Sequence, residues 1–155
     1  MLLRGESSLT EAEREMIAAY VSSLNDCVFC SSAHTATTCA LPGGKESRIQ
    51  PMVSDLTELV ISDKMKSLLH IAAKVQENGN RVTKEDIDVA KVSGATDLEI
   101  HDTVLIAALF CLYNRYVDGL ATRTPADPAY YESLGKRLTT RGYLMPEDGY
   151  NPLKY

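Results

Sequence analysis

Residues 10–34 read TEAEREMIAAYVSSLNDCVFCSSAH. Thr10, with Glu13 three residues on, forms a capping box: the hydroxyl takes a free N–H at a helix start and the carboxylate reaches back to the cap. Met16, Ile17, Tyr20, Val21 and Leu24 then recur at helical spacing, so one face of the segment is apolar. Asn25-Asp26 breaks that run and can cap a second helix. This helix is expected to start near Cys27 and to end before Leu41-Pro42-Gly43-Gly44, a loop sequence. The short turn lets the first helix fold back on the second.

Helical signals continue outward from this pair. Residues 53–61 read as a short helix. Ser62-Asp63 caps the next, which carries Met65, Leu68, Leu69, Ala72 and Val75 on one face and stops at Asn78-Gly79-Asn80. Thr83-Lys84-Glu85-Asp86 opens a short helix that Gly94 closes. A further capping box, Thr96-Asp97-Leu98-Glu99, opens the longest helix, through Val104, Leu105, Ala108, Leu109, Leu112 and Tyr116 to about Gly119. Its middle is apolar nearly all round, which implies burial on several sides. Residues 126–141 give one more helix, and 142–155, rich in Tyr, Pro and Gly, read as a C-terminal arm. No stretch alternates with the period of a strand. The expected fold class is all-α, a compact domain of about six to seven helices spanning residues 1–155.

Composition narrows the function. Apolar residues are 45% and charged residues 24% of the 155, which argues against general disorder. Sixteen Lys and Arg against 21 Asp and Glu give a charge of −5, which disfavours nucleic acid as the main partner. The longest apolar run, near 104–113, is well short of the roughly 20 residues of a membrane span. The first residues lack the apolar region of a secretory signal. A cytoplasmic location without membrane contact is the expectation. There thiols stay reduced, so the four cysteines do not read as structural staples.

Two of them form the pair Cys27-Val28-Phe29-Cys30. At about 100° per residue, Cys30 lies about 60° and His34 about 20° from Cys27, so the three share one helix face. Cys30 and His34 are i and i+4 neighbours. Free N–H groups and the helix dipole at the start of the helix stabilise a thiolate and depress its pKa. An imidazole one turn away can take the thiol proton, and a second thiol can resolve a sulfenic acid or mixed disulfide. Glu15, twelve residues before Cys27 on the preceding helix, can orient the imidazole and favour its protonated form.

Each residue also has a plainer reading. The cysteines can be structural thiols, Glu15 a solvated surface carboxylate, and His34 a satisfied surface ring. The sharper rival is a non-catalytic, redox-sensing or zinc-binding protein, because Cys27, Cys30, His34 and Cys39 approach a structural zinc spacing. Against zinc, Cys39 falls at about 120° on the same wheel and the interval lacks wrapping turn residues. His70 reads as core or interface, His101 as a first-turn surface residue, Cys111 as a packed inert thiol, and Cys39 as a spare or buried thiol.

Glu13–Ser22 of this stretch, with Asn25, Cys27, Cys30 and His34, resembles the alkylhydroperoxidase D-like, peroxidase-related branch of the carboxymuconolactone decarboxylase superfamily. The signature is a Glu, then a Cys twelve positions on, the C-x-x-C, and a His four residues after its second Cys. Glu15, Cys27, Cys30 and His34 meet it, and Asn114-Arg115-Tyr116-Val117-Asp118-Gly119 is similar to the same branch. The resemblance covers about residues 9–122. It implies an all-helical domain, homo-oligomeric as a trimer or hexamer, with no cofactor. It also implies thiol-dependent reduction of hydroperoxides, or disulfide exchange with a lipoyl protein, a thioredoxin-like protein or a peroxiredoxin. Carried over, Cys30 is the peroxidatic thiol, Cys27 the more exposed resolving thiol, His34 the base and Glu15 the end of the proton relay.

The chain departs from the pattern at Phe29, where the best-known members place a second His. A relay through that imidazole is absent, whereas disulfide reduction needs only two thiols and one base. Decarboxylase members lack the cysteine pair, which disfavours decarboxylation here. Many peroxidase-related members begin with an extra helix that this chain is expected to lack.

Overall fold

A computed structural model describes residues 2–44 and 60–144. Six α-helices and one 3₁₀ turn make up the described regular structure: α1 Glu11–Leu24, α2 Val28–Ala40, α3 Asp63–Glu77, the turn Gly79–Arg81, α4 Lys84–Val92, α5 Asp97–Gly119 and α6 Pro128–Arg141. The described chain is all helical, as its patterning predicts.

The capping boxes form at Thr10, Thr83 and Thr96, each hydroxyl accepting from the N3 backbone N–H. α1 and α2 pack as a hairpin, α6 lies along the other side of α2, and α3 and α5 close over α1. Leu9, Ile17, Val21, Leu68, Leu69 and Ile106 are buried where these helices meet. Gly135 marks a close approach of α6 to α2: a Cβ there would stand 2.7 Å from the Ala36 carbonyl oxygen. Gly135→Ala is therefore expected to destabilise the fold by about 1–3 kcal/mol, an overpacking cost larger than the gain in helix propensity. A denaturant midpoint equal to or above wild type would contradict this.

The turn before the cysteines differs from its sequence reading. Asn25 caps α1, Asp26 takes the left-handed φ of +56°, and the Cys27 N–H returns to the Ser22 carbonyl at 3.0 Å. This is a Schellman closure of α1 built on Asp26 where glycine is usual. Asn25-Asp26 thus ends the first helix and does not cap the second, whose N-cap is Cys27 itself. A polar network pins the turn. Gln76 Nε2 donates to Asn25 Oδ1 at 2.9 Å, Asn25 Nδ2 to Asn114 Oδ1 at 2.9 Å, and Asn114 Nδ2 to Ser22 Oγ at 3.0 Å.

Three further expectations shift. The last helix begins at Pro128, not 126, because Asp127 caps it, its carboxylate accepting from Ala129 N–H at 2.9 Å. Of the helix read over 53–61, residues 53–59 lie outside the described residues, and Val60 and Ile61 are not helical. The arm read over 142–155 is described only to Leu144. There Tyr143 is docked into the helices, and 145–155 lie outside the described residues. On α5, Ile106, Ala107, Phe110 and Asn114 are buried, while Leu105, Leu112, Tyr113 and Tyr116 are exposed. Within one chain the middle of this helix is therefore covered on one side only.

Candidate functional site

The α1–α2 hairpin brings Glu15 against His34. Glu15 Oε2 stands 2.6 Å from His34 Nδ1, and both side chains are buried. An ionised carboxylate only accepts, so Nδ1 carries a proton and donates; when the ring is neutral, Nε2 holds the free lone pair. Phe110 of α5 meets the imidazole edge-on, ring centroids 4.6 Å apart, and fixes its plane. Cys30 lies one turn earlier on the same face of α2.

The other oxygen of Glu15 is held from both ends of the chain. Arg4 Nη1 lies 2.6 Å from Oε1, and the Tyr143 hydroxyl donates to it at 2.7 Å. That hydroxyl is also 3.3 Å from His34 Nδ1, and the Arg4 guanidinium stands 5.1 Å over the Tyr143 ring. Burial pushes the Glu15 carboxyl up. The hydrogen bond and charge of His34, the Tyr143 hydroxyl and the Arg4 charge together outweigh it and hold the carboxyl below its ordinary value. Burial and the Glu15 charge push the Tyr143 hydroxyl up, so it remains a donor. Neither Arg4 nor Tyr143 was legible as a site residue. Neither has a spacing to the cysteine motif, and Tyr143 lies in the tyrosine-rich end.

The structure corrects the reading of Cys27 in two respects. Cys27 is 0% exposed and Cys30 5%, so Cys27 is not the more exposed thiol. Its place at a helix start does lower its pKa through the Cys30 backbone N–H, but other effects outweigh this. Burial first, then hydrogen bonds of its thiol to the Cys30 sulfur and the Asp118 carboxylate, push it up to about 12. Cys27 is therefore a protonated donor beside Cys30 at neutral pH. Asp118 lies in the run 114–119, one turn after the Asn114 that steadies the turn before Cys27.

The remaining candidates stand apart. His70 is exposed, its Nε2 3.3 Å from Asp86 Oδ1, so the expectation of a core ring fails. His101 is exposed on α5 beside Asp102. Cys111 is partly buried, its sulfur 3.7 Å from the Asn25 amide. α2 runs unbroken through Cys39, so the chain does not wrap the four ligands of the zinc spacing together. Among the described residues no group of three or more His, Cys, Asp or Glu is arranged to hold a metal ion. Phe29 turns to Tyr131 of α6, ring centroids 6.1 Å apart. A cavity of about 390 Å³ between Val28, Ser32 and Thr35 of α2 and Pro128 and Tyr131 of α6 lies on a flank of α2 rotated away from Cys30 and His34.

Residues 1–45, which include Glu15, both motif cysteines and His34, match the model of the carboxymuconolactone decarboxylase family. No curated protein matches the chain. The fold is similar to the alkylhydroperoxidase AhpD core of an uncharacterized peroxidase-related protein from Ralstonia eutropha JMP134. The identity is 27% and the TM-score 0.75, over 87% of this chain and 69% of that one. An uncharacterized peroxidase-related protein from Silicibacter sp. TM1040 is 29% identical with a TM-score of 0.65, over 84% of this chain and 66% of that one. The chain thus spans about two thirds of the length of either structure. Among the described residues no helix is long and apolar enough to cross a membrane.

Proposed function

We propose that this chain, a member of the alkylhydroperoxidase D-like branch of the carboxymuconolactone decarboxylase superfamily, is a thiol-dependent oxidoreductase that reduces hydroperoxides or partner disulfides. The observation that carries the reading is the 2.6 Å contact of Glu15 with His34, which leaves the free ring nitrogen one turn from Cys30. His34 takes the Cys30 proton, and the adjacent Cys27 thiol donates to the sulfur that forms. With a hydroperoxide, the Cys30 thiolate attacks the outer peroxide oxygen. The O–O bond breaks, the alkoxide takes a proton, and Cys30 becomes a sulfenic acid. Cys27 then attacks that sulfur, its proton leaving with the hydroxyl as water, and the Cys27–Cys30 disulfide forms. Two electrons from an external dithiol restore the pair.

With a partner disulfide the same thiolate forms a mixed disulfide, which Cys27 resolves. Lipoyl, thioredoxin-like and peroxiredoxin proteins present such groups and are the proposed partners. Phe29 leaves His34 as the only ring in the relay, so disulfide exchange, which needs one base, keeps its full machinery. The test is a peptide map after one equivalent of oxidant. The expected result is a reversible loss of two hydrogens across the peptide holding Cys27 and Cys30. Pairing of Cys39 or Cys111 with either would overturn the assignment.

The exposed Leu105, Leu112 and Tyr116 recur on one side of α5 at helical spacing. We expect this side to be covered by further copies, as a trimer or hexamer. Light scattering at micromolar concentration should give a mass well above the 17.0 kDa of one chain, and a monomer would contradict it.

A further inference from the structure

We propose that Arg4 and Tyr143 are positioning residues that clamp the Glu15 carboxylate from the two ends of the chain and set the lowest pH at which the relay works. The inference rests on the reading of Cys30, His34 and Glu15 as one relay and adds to it what keeps the buried carboxylate charged and aimed.

A carboxylate with no exposed surface is costly to ionise, and a protonated Glu15 would hold His34 only as a neutral partner. Glu15 meets three donors: His34 at one oxygen, Arg4 and Tyr143 at the other. Together with Arg14, whose charge also reaches Glu15 from the same helix, these are the titratable groups that face it from the elements packed around it, and α5 contributes the uncharged Phe110 behind the imidazole. The two clamp residues are themselves held. Arg14, next to Glu15 on α1, donates to the carbonyls of Leu2 at 2.8 Å and Gly5 at 2.9 Å, which fixes the segment carrying Arg4. Arg4 also donates to its own neighbour Leu3 and to the Leu138 carbonyl of α6, and pairs with Glu11 at 3.5 Å. Its guanidinium covers the Tyr143 ring, so the N-terminal segment and the residues after α6 are joined over Glu15.

The division of labour follows from charge. Arg4 supplies the positive charge that offsets burial of the carboxylate. Without it the folded carboxyl protonates at a higher pH, and the relay fails from that pH downward. Tyr143 supplies a neutral hydrogen bond that fixes the carboxylate plane and, beside Nδ1, the ring that depends on it. Its hydrogen bond lowers the Glu15 carboxyl at least as much as the Arg4 charge does, so its loss slows the relay and also moves its pH limit upward.

The test is the rate at which Cys30 is alkylated, followed by peptide mapping in the full chain across pH, for wild type, Arg4→Gln, Arg4→Lys and Tyr143→Phe. Arg4→Gln should move the acid limb of the profile to higher pH by about one unit or more, the usual effect of one close opposite charge. Arg4→Lys should restore most of that shift. Tyr143→Phe should lower the neutral-pH rate about tenfold, the usual worth of a hydrogen bond to a charged group, and move the limb in the same direction as Arg4→Gln. Circular dichroism reports whether each variant folds. If Arg4→Gln does not fold, Tyr143→Phe, which removes one oxygen, decides. Wild-type profiles in the folded variants would overturn the clamp while leaving the relay in place. If the relay itself is wrong, the His34→Ala profile also matches wild type, so the two failures are distinguishable.

Discussion

Cys30→Ser is expected to bring turnover with hydroperoxide or disulfide substrates down to the uncatalysed background, whereas Cys27→Ser should still consume a single equivalent of oxidant and then stop. The difference follows from the two environments. Cys30 lies on the relay side of α2, one turn from His34. Cys27 is sealed at the helix start with its pKa pushed up to about 12, so it stays protonated at neutral pH and does not make the first attack. In the proposed mechanism it attacks only a neighbouring sulfur already oxidised, when its proton can leave with the departing hydroxyl or thiolate. A burst of one equivalent per chain in Cys27→Ser, measured by stopped-flow or by mass after mixing, separates the roles. The reverse pattern, a burst in Cys30→Ser and none in Cys27→Ser, would exchange them.

His34→Ala is expected to lower turnover by roughly a hundredfold or more, the usual worth of a positioned general base. Glu15→Gln keeps a group that can still accept from Nδ1 but removes the negative charge, so its loss should be smaller. If Glu15 acts through His34, which it meets at 2.6 Å, the two losses should not add, and the double variant should resemble His34→Ala alone. Additive losses would mean that Glu15 acts independently of the ring.

What was legible in the sequence is what local rules govern. The capping boxes at Thr10, Thr83 and Thr96 set helix starts with a hydroxyl and a carboxylate three residues apart, so α1, α4 and α5 begin where the pattern places them. The Glu15–His34 contact was legible for a related reason. Two amphipathic helices joined by a three-residue turn must face each other, and both residues lie on the facing sides. The environment of Cys27 was not legible. A helix-start cysteine reads as activated, but here the end of α5 seals it with Asp118 at its thiol, a tertiary contact with no local signal. Arg4 and Tyr143 were missed for the same reason. Tyr143 meets Glu15 across 128 residues of sequence, and nothing periodic links them. The start of α6 moved because Asp127, a good local cap, begins the helix at Pro128 and leaves Ala126 outside it.

The central claim is that Glu15 and His34 activate Cys30, and the most direct measurement of it is the alkylation rate of Cys30 against pH in wild type and in His34→Ala. It needs no knowledge of the natural substrate or electron donor. The expected result is a slower reaction near neutrality in His34→Ala, with the whole curve displaced to the alkaline side, because the acceptor for the thiol proton is gone. Superimposable curves would contradict the account: His34 would then be a buried ring held by Glu15 with no part in the chemistry of Cys30.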